Sequence, residues 1–458
     1  MFEKSVYENR RNSLRSKIKS GIVLILGNVD SPMNYTDNTF HFRQDSNFLY
    51  FFGINRPSLT AVIDIDNNKE ILYGDNLTME DIIWMGNLES LESLSKKSDI
   101  HEVKPFSKLA SDMLPEVSKR KIHYLPQYTF ERQNLISEIT NIEPTSVQKN
   151  VSVEMIKAVS SLRSVKEPCE VEEIENTITS VTRNMHITAM KMAQPERYEY
   201  EIAGEIEGII AKHNSQPAYP VICSVHGEVL HNEDYSNKLK AGDMLLVDAG
   251  CESQEFYATD ITRTFSAGGK FTPIQKDIYS IVLDVQEYAI TLIRPGIKYQ
   301  DIHLAASKRM VSGLQHLNFF KGDPEEIVHS GAHAILFPHG LGHMIGLDVH
   351  DMEDLGEDFV GYDEKTQRSS LFGTGYLRLG KELKPGYVLT VEPGIYFIPP
   401  LIHQWETKKM FENFINYSEI KKNLSFGGIR IEDNILVTRE NNRVLGEPIP
   451  KKIVDISW

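Results

Sequence analysis

Cysteine and long apolar runs are both scarce in this chain of 458 residues. Its three cysteines, Cys169, Cys223 and Cys251, form no CxxC pair, which argues against a disulfide framework and favours a reducing compartment. The early apolar run GIVLILG is far too short to cross a bilayer, and the charged first residues lack the apolar segment of a signal peptide. These absences predict a cytoplasmic protein.

Basic side chains are fewer than acidic ones, with 49 Lys and Arg against 64 Asp and Glu, and the net charge at pH 7 is -15. Nucleic acids and anionic membranes attract basic surfaces, so this balance disfavours both as partners. The first part of the chain also lacks the motifs GxGxxG and GxxxxGKS/T, which leaves nucleotide binding without support.

The length predicts two domains. In the first, GIVLILG and AVIDID are typical of strands, whereas MEDIIWMGNLESLESLSKK and RQNLISEITNI are typical of helices. This alternation predicts a compact α/β domain with a mostly parallel or mixed sheet. Pro168 with the acidic turn after it indicates a helix start. We therefore place the boundary near Ser164, between domains at residues 1–164 and 165–458.

A helical stretch over residues 153–213, broken near Pro168, leads into a second alternation of strands and helices. The predicted strands are DMLLVDAG, EFYATDITRTF, YVLTVEPGIYFI and GGIRIEDNILVT, and the predicted helices are PIQKDIYSIVLDVQEYAITLI and YQDIHLAASKRMVSGLQHL. Residues 399–426, between the last two strands, are predicted to be an insertion.

Four acidic residues and one histidine in the second half of the chain lie in strand-like or loop-like contexts. They are Asp248 in LLVDAG, Asp260 in YATDITRTF, His343 in PHGLGHMIGLDVHD, Glu392 in LTVEPGIYF and Glu432 in GGIRIEDNILV. Each one alone is weak evidence, because a lone Asp at a strand end is most often a turn residue or a helix cap. Together, carboxylates among apolar β-branched residues are costly unless a cation or hydrogen bonds compensate them.

Four such acids match the charge of two divalent ions. The oxygen-rich set favours manganese first, then cobalt, iron or zinc. Two close ions can activate water and polarise a carbonyl, which indicates a hydrolase that acts on an amide or an ester.

Other polar residues surround these motifs: His226, His231, His339, His350, Arg378 and Arg430. An imidazole near a metal centre can shuttle protons or bind a developing oxyanion, although a purely structural role is equally compatible with each histidine. The two arginines can anchor a substrate carboxylate or neutralise the acids.

With these residues in view, the chain resembles the pita-bread metallopeptidases, and among them the Xaa-Pro aminopeptidase (aminopeptidase P) and Xaa-Pro dipeptidase (prolidase) branch. The motifs HGLGH, GLDVHD, VEPGIYF and GGIRIED are similar to the family pattern, and FHFRQDSNFLYFFGINRP resembles the first domain of that branch. The resemblance implies an α/β (α+β) protein with an N-terminal creatinase/RNase H-like α/β domain and a C-terminal pita-bread catalytic domain.

The resemblance also implies roles for single residues. Asp248 would chelate one ion, Asp260 and Glu432 would bridge, His343 and Glu392 would complete the shell of the second ion, and Glu392 would also be the acid/base for a bridging hydroxide. The implied catalytic set is His231, His339, His350, Glu392 and Arg430, and the implied substrate-binding residues are Arg378 and His231. One departure is the stretch VICSVHGEVLHN, where relatives often have a Gly-Ser-Gly-type sequence with Asn.

The substrate implied is a peptide with proline at the second position. We favour the aminopeptidase because of the first domain, but the prolidase alternative stays open: Arg378 lies where prolidases bind a free carboxylate, and a long insertion before FGGIRIED is prolidase-like. A non-catalytic pita-bread binding protein is a remote alternative, since such relatives lose metal ligands, and creatinase-like amidinohydrolases do not keep this ligand set. A homodimer, or a tetramer, is expected.

Overall fold

The computed structural model describes residues 1–86 and 88–457. Asn87, in a predicted helix, and Trp458, the last residue of the predicted second domain, lie outside the described residues. The chain divides into two units, Met1–Arg163 with Met352–Phe359, and Ser164–Asp351 with Val360–Trp458.

The strands are β1 (Ile22–Leu26), β2 (Thr60–Asp64), β3 (Lys69–Tyr73), β4 (Glu102–Lys104), β5 (Ile122–His123), β6 (Ile222–Ser224), β7 (Met244–Asp248), β8 (Thr262–Ser266), β9 (Val388–Val391), β10 (Gly394–Tyr396), β11 (Gly428–Arg430), β12 (Asp433–Val437) and β13 (Asn442–Val444). The helices are α1 (Lys4–Lys17), α2 (Ser46–Phe52), α3 (Met79–Met85), α4 (Leu91–Lys97), α5 (Leu109–Val117), α6 (Phe130–Thr140), α7 (Val153–Arg163), α8 (Pro168–Thr177), α9 (Arg183–Met192), α10 (Glu199–Lys212), α11 (Pro273–Leu292), α12 (Tyr299–His316), α13 (Pro324–Ser330), α14 (Glu357–Val360), α15 (Pro399–Thr407) and α16 (Tyr417–Ile420).

The first unit contains a five-stranded sheet in the order β4-β3-β2-β1-β5. β2 runs antiparallel to both β1 and β3, whereas the pairs β1–β5 and β3–β4 are parallel, so of the two predicted alternatives, mostly parallel or mixed, the sheet is the mixed one. Ile22, Leu24 and Leu26 of β1 pack in one core with Met113 of α5 and Ile136 of α6. The alternation of strands and helices thus gives a sheet with a helical layer on its apolar face.

The predicted helix over residues 79–97 is wrong in its extent, because two short helices occupy that segment. α3 ends at Gly86, which has φ 80°, a conformation that does not continue a right-handed helix. α4 begins after Ser90, whose side chain accepts a hydrogen bond from the N–H of Ser93. A glycine stop and a serine cap therefore divide an otherwise continuous helical pattern.

The helices of the second unit agree closely with the predicted ones. α11 begins after Thr272, whose side chain caps the helix in a capping box with Gln275. Apolar residues of α11 and α12, including Val282 and Met310, belong to the largest core of the unit. These two long helices support the strands that carry the acidic residues.

The two predicted C-terminal strands are each broken in the middle, and the breaks coincide with the two predicted glutamate ligands. β9 pairs with β12 in one sheet, and β10 pairs with β11 in another. Pro393 follows Glu392 and has no N–H for a ladder, so β9 ends before it. Glu432 likewise lies between β11 and β12. Both glutamates are therefore placed where the chain passes from one sheet to the other.

The predicted strand EFYATDITRTF begins later than expected, at Thr262, so that Asp260 lies in the preceding loop. The expected insertion, residues 399–426, contains α15 and α16. Among residues 1–86 and 88–457, the structure contains no helix with the length and apolar character needed to cross a bilayer.

Candidate metal centre

Neighbouring strand ends bring the four acidic residues together. Asp248 is the last residue of β7, and it is opposite Thr262, the first residue of β8, in an antiparallel pair. Asp260 precedes Thr262 by two residues, so the hairpin places both aspartates at one end of this sheet. Glu392 and Glu432 flank the pairing of β9 with β12. Local chain direction therefore explains the convergence of residues that are far apart in sequence.

His343 presents a nitrogen lone pair to two carboxylates. Its Nδ1 lies 3.0 Å from the carbonyl oxygen of Met344, which can only accept, so Nδ1 carries the proton of the neutral ring. Nε2 then faces Asp260 Oδ2 and Glu392 Oε1, each at 3.4 Å. A lone pair directed at two carboxylates is repulsive unless a cation or a proton lies between them.

Glu432 has a buried oxygen that the protein does not satisfy. Its Oε2 accepts a hydrogen bond of 2.7 Å from the Thr262 hydroxyl. Its Oε1 has no hydrogen-bond partner within the described part of the chain. Ligand atoms of Asp260, His343 and Glu432 lie within 4.8 Å of one another. A buried unsatisfied carboxylate oxygen next to an imidazole lone pair fits a divalent cation.

Burial raises the pKa of these carboxyl groups, and the neighbouring carboxylates raise it further. The pKa of Asp260 rises to about 8 and that of Glu392 to about 7. The pKa of Glu432 also lies well above its ordinary value. A cation that binds here therefore displaces protons, which couples its affinity to pH.

Asp248 is held by two groups on the other side of the cluster. Its Oδ2 lies 2.5 Å from Arg430 Nη2, and its Oδ1 accepts a hydrogen bond of 2.6 Å from the Tyr219 hydroxyl. The same hydroxyl lies 2.5 Å from Asp260 Oδ1. One proton cannot serve both carboxylates at once, so Tyr219 links the two aspartates without neutralising them.

All ten predicted site residues line one cavity of roughly 780 Å³ in the second unit. They are Asp248, Asp260, His343, Glu392, Glu432, His231, His339, His350, Arg378 and Arg430. Apolar residues, among them Ile222, Leu230, Ile398 and Leu401, form much of the remaining wall. The cavity thus combines a charged floor with an apolar wall.

His226 is the one histidine of the predicted cluster that the structure does not bring to the described cavity wall. It is exposed, and its Nδ1 lies 3.1 Å from Glu228 Oε1. Nearness in sequence to His231 does not determine which way its side chain points.

His339 is tied into a chain of hydrogen bonds. Its Nδ1 donates to the carbonyl of Gly340 at 2.8 Å, so its Nε2 accepts from the Tyr396 hydroxyl at 2.8 Å. The same hydroxyl accepts from Arg430 Nη1 at 2.9 Å. Burial and the nearby Arg430 charge lower the pKa of His339 to about 3, so its ring is neutral.

His350 and His231 present their rings differently. The ring centroid of His350 lies 4.4 Å from that of His343, and the two rings meet edge to face. His231 lines the cavity from an exposed turn. Both imidazoles are therefore placed beside the cavity, on elements separate from the acids.

Sequence reasoning missed the hydroxyl groups that support the site. Thr262, Thr390 and Tyr396 lie inside the motifs that carry the acids, and Thr390 donates to Glu392 Oε1 at 3.2 Å. Their position close to the acids within these motifs could therefore have predicted them. Tyr219, in QPAYPV, has no such signal, because its two contacts are with residues 29 and 41 positions away.

Comparison with known proteins gives matches over both units. The family model "Metallopeptidase family M24" matches residues 176–439, and "Aminopeptidase P, N-terminal domain" matches residues 7–124. The chain is 34% identical over 442 residues to "Probable Xaa-Pro aminopeptidase pepP" of Metarhizium robertsii, covering 95% of this chain and 91% of the relative. It is 29% identical over 462 residues to the Xaa-Pro aminopeptidase of Escherichia coli, covering 98% and 96%.

A solved structure of a substituted Escherichia coli aminopeptidase P in complex with substrate is similar throughout. It has 28% sequence identity and a TM-score of 0.81, and the match covers 99% of this chain and 97% of that one. The matched residues therefore include both units.

Proposed function

Because the chain belongs to metallopeptidase family M24 and carries an aminopeptidase P N-terminal domain, we propose that it removes the first residue of peptides that have proline second. It is a metal-dependent exopeptidase for Xaa-Pro bonds, and its substrate is a peptide. The observation that carries the proposal is the cluster of Asp260, His343 and Glu432 at the floor of a cavity with an apolar wall.

Divalent metal ions are the cofactor. We propose that two ions would be held by these residues, with Asp248 serving one ion, His343 and Glu392 serving the other, and Asp260 and Glu432 serving both. Manganese suits this oxygen-rich set best, followed by cobalt, iron or zinc. When bound, such ions lower the pKa of a water molecule and polarise the scissile carbonyl.

Glu392 is placed to hold and move a proton. Its Oε1 accepts from Thr390 and faces His343, whereas its Oε2 makes no such contact with the described residues. The pKa of about 7, which burial and the Asp260 charge produce, lies near neutral pH. That value belongs to the metal-free site. Because Oε1 is engaged by Thr390 and His343 and Oε2 is not, we assign the proton transfer to Glu392 Oε2.

The remaining polar residues are assigned to binding and orientation. His350 and His231 face the cavity and are proposed to donate hydrogen bonds to the substrate and to the developing oxyanion. Arg430 and His339 are joined through Tyr396, so we assign them the task of holding Asp248 and the cavity wall in place.

The proline requirement follows from the amide that the site must accept. An Xaa-Pro bond has no N–H, so the pocket cannot recognise it by a donor and must fit the ring instead. The apolar wall formed by Ile222, Leu230, Ile398 and Leu401 supplies a surface of that kind. We propose that this wall holds the proline ring.

The dipeptidase alternative rests on Arg378, which lines the same cavity and can bind a free C-terminal carboxylate. The relatives named Xaa-Pro aminopeptidase and the N-terminal domain match favour the aminopeptidase.

Manganese-supplemented hydrolysis of Gly-Pro against Gly-Pro-Yaa tests this choice. We expect kcat/KM to be about tenfold or more higher for the tripeptide, since its extra contacts contribute to transition-state binding. Preference for the dipeptide would make the protein a prolidase, and Arg378→Ala would then raise KM for the dipeptide alone. Arg439→Ala, which changes an exposed arginine that does not line the cavity, is the matched control. Failure to cleave either peptide contradicts the proposed function.

We also propose that the chain has two domains, at residues 1–164 and 165–458. We propose that the protein is cytoplasmic and forms a homodimer or a tetramer, and that it has no nucleic acid or membrane partner. The net charge of -15 supports the last part, because both partners attract basic surfaces.

A further inference from the structure

A buried ion pair joins the first residues of the second unit to the loop that carries His350. Lys166 Nζ lies 2.8 Å from Asp351 Oδ2, and each side chain is 1% exposed. A buried pair contributes little net stability compared with apolar residues, but it selects one conformation because either charge alone is costly. The neighbouring contacts show which conformation is selected.

The loop between His343 and Asp351 starts on β9 and returns to its own beginning. Ile345 N donates to the carbonyl of Val388 at 3.2 Å, which keeps this part of the chain beside β9. After Ile345 the chain leaves β9, and Asp351 N donates to the carbonyl of Met344 at 3.0 Å. That carbonyl also accepts from His343 Nδ1. A single carbonyl therefore fixes the ring of His343 and the far end of the loop.

The ion pair is packed directly on the backbone of this loop. A Cβ at Gly346 would lie 2.5 Å from Asp351 Oδ2 and 2.9 Å from Lys166 Cε, so only glycine leaves room for the pair. The carbonyl of Gly346 accepts from Ala258 N at 2.7 Å, in the segment that leads to Asp260. A shift of Asp351 is therefore transmitted to the loop backbone.

Lys166 is itself fixed to the sheet behind the site. Its backbone N–H donates to the carbonyl of Gly386 at 2.8 Å, two residues before β9. Asp351 directly follows His350 and is the last residue of its segment in the second unit. The contact with Lys166 therefore anchors the chain immediately after His350.

We propose that Lys166 and Asp351 are positioning residues that hold the His350 imidazole against His343, 4.4 Å away between ring centroids. This inference rests on the proposed function, which gives His350 its task in the reaction. The pair does not touch substrate; it acts through the loop.

The test compares Lys166→Met, Asp351→Asn and the double variant with the wild type. On a Gly-Pro-Yaa peptide, kcat falls about 10- to 100-fold, the range for residues that orient a reacting group. KM and the manganese dissociation constant stay within about threefold, since His343 keeps its bonds to β9. The kcat of the double variant falls no further than that of the single variant with the smaller loss, because Lys166 and Asp351 act through one contact. Lys166→Arg, which keeps the charge, retains most of kcat.

If a single variant fails to fold, the double variant decides, because it leaves no unpaired buried charge. Arg132→Met is the matched control, since it breaks an equally close buried pair with Asp45 in the first unit. The ring position of His350 is also read from the NMR resonances of 15N-labelled imidazoles in the zinc-loaded protein, because zinc is diamagnetic. These resonances shift in the double variant but not in Arg132→Met.

A folded double variant with wild-type kcat and unchanged His350 resonances overturns the proposal. So does an equal loss of kcat in Arg132→Met. A wild type that cleaves no Xaa-Pro peptide refutes the proposed function instead, and the imidazole resonances still decide whether the pair positions His350.

Discussion

Both units of the chain pair buried charged side chains, but the second unit also buries carboxylates that it does not pair in this way. In the first unit Arg132 lies 2.9 Å from Asp45, each side chain is 5% exposed, and the guanidinium also donates to Gln127. In the second, the carboxylates of Asp260 and Glu432 converge, and within the described part of the chain neither forms an ion pair with a lysine or an arginine. Buried charge by itself is therefore structural; buried charge that the protein leaves uncompensated marks the site.

The contrast recurs between two adjacent residues. Although burial alone would raise it, the charges of Arg263 and Lys451 hold the pKa of Asp433 well below its usual range. Glu432, one position earlier, has its pKa raised by burial and by nearby carboxylates. Asp433 forms ion pairs with Arg263 and Lys451, whereas Glu432 belongs to the candidate metal centre. The surroundings of each carboxylate therefore decide its role.

The same substitution made in each unit has the largest expected consequence. Asp260→Asn removes a ligand without changing volume, so kcat falls by about 10³-fold or more, the effect of losing a major electrostatic contribution to the transition state. Asp45→Asn leaves Arg132 unpaired and lowers the free energy of unfolding by about 3–5 kcal/mol. Turnover measurements and thermal melts on both variants check this.

The expected pattern is a double dissociation: Asp260→Asn keeps its fold, and folded Asp45→Asn keeps its kcat. Wild-type turnover in Asp260→Asn would contradict the conclusion that unpaired buried carboxylates mark the site whereas paired ones are structural.

Metal removal has an intermediate effect, and its sign depends on pH. In the metal-free protein the pKa values of Asp260 and Glu392, about 8 and about 7, lie above those of the unfolded chain. The folded state then binds more protons, so this contribution to stability is fully present below the unfolded values near pH ~4 and is lost as pH rises towards 8. After chelation, the melting temperature should be lower at pH 8 than at pH 5.

Adding manganese should raise the melting temperature most at pH 8, because the ions replace the lost protons. Metal-free Glu432→Gln serves as the control, since it removes one of the titrating groups and should flatten the pH dependence. A metal-free protein that is more stable at pH 8 than at pH 5 would mean that the carboxylates are compensated by the protein after all.

The smallest effect is expected at His226, an exposed residue that contacts Glu228 and does not line the described cavity wall. His226→Gln should leave kcat/KM within about twofold, as for most surface substitutions. His231→Gln, the matched change on the cavity wall, should lower kcat/KM about tenfold or more by removing a hydrogen bond to the substrate. Steady-state kinetics on one Xaa-Pro-Yaa peptide compare the two variants. An equal loss of kcat/KM in both would contradict the conclusion that His226 lies outside the site.

Hydrophobic periodicity and capping residues act over a few positions, so the chain alone predicts the α/β class and the long helices α11 and α12, whereas it leaves the first sheet as mostly parallel or mixed. Short motifs in the chain also predict ten of the residues that line the cavity. Each of these features depends on a local pattern that is visible in the chain.

The interruptions of those patterns, and the meetings of distant groups, depend on tertiary packing. Glu392 and Glu432 lie at strand breaks because β9 pairs with β12 in one sheet, whereas β10 pairs with β11 in another. Tyr219 reaches two aspartates, and Lys166 meets Asp351 across 185 positions. The compensation of a buried charge depends on distances between atoms that are remote in sequence, and such distances are fixed only when the whole core has packed.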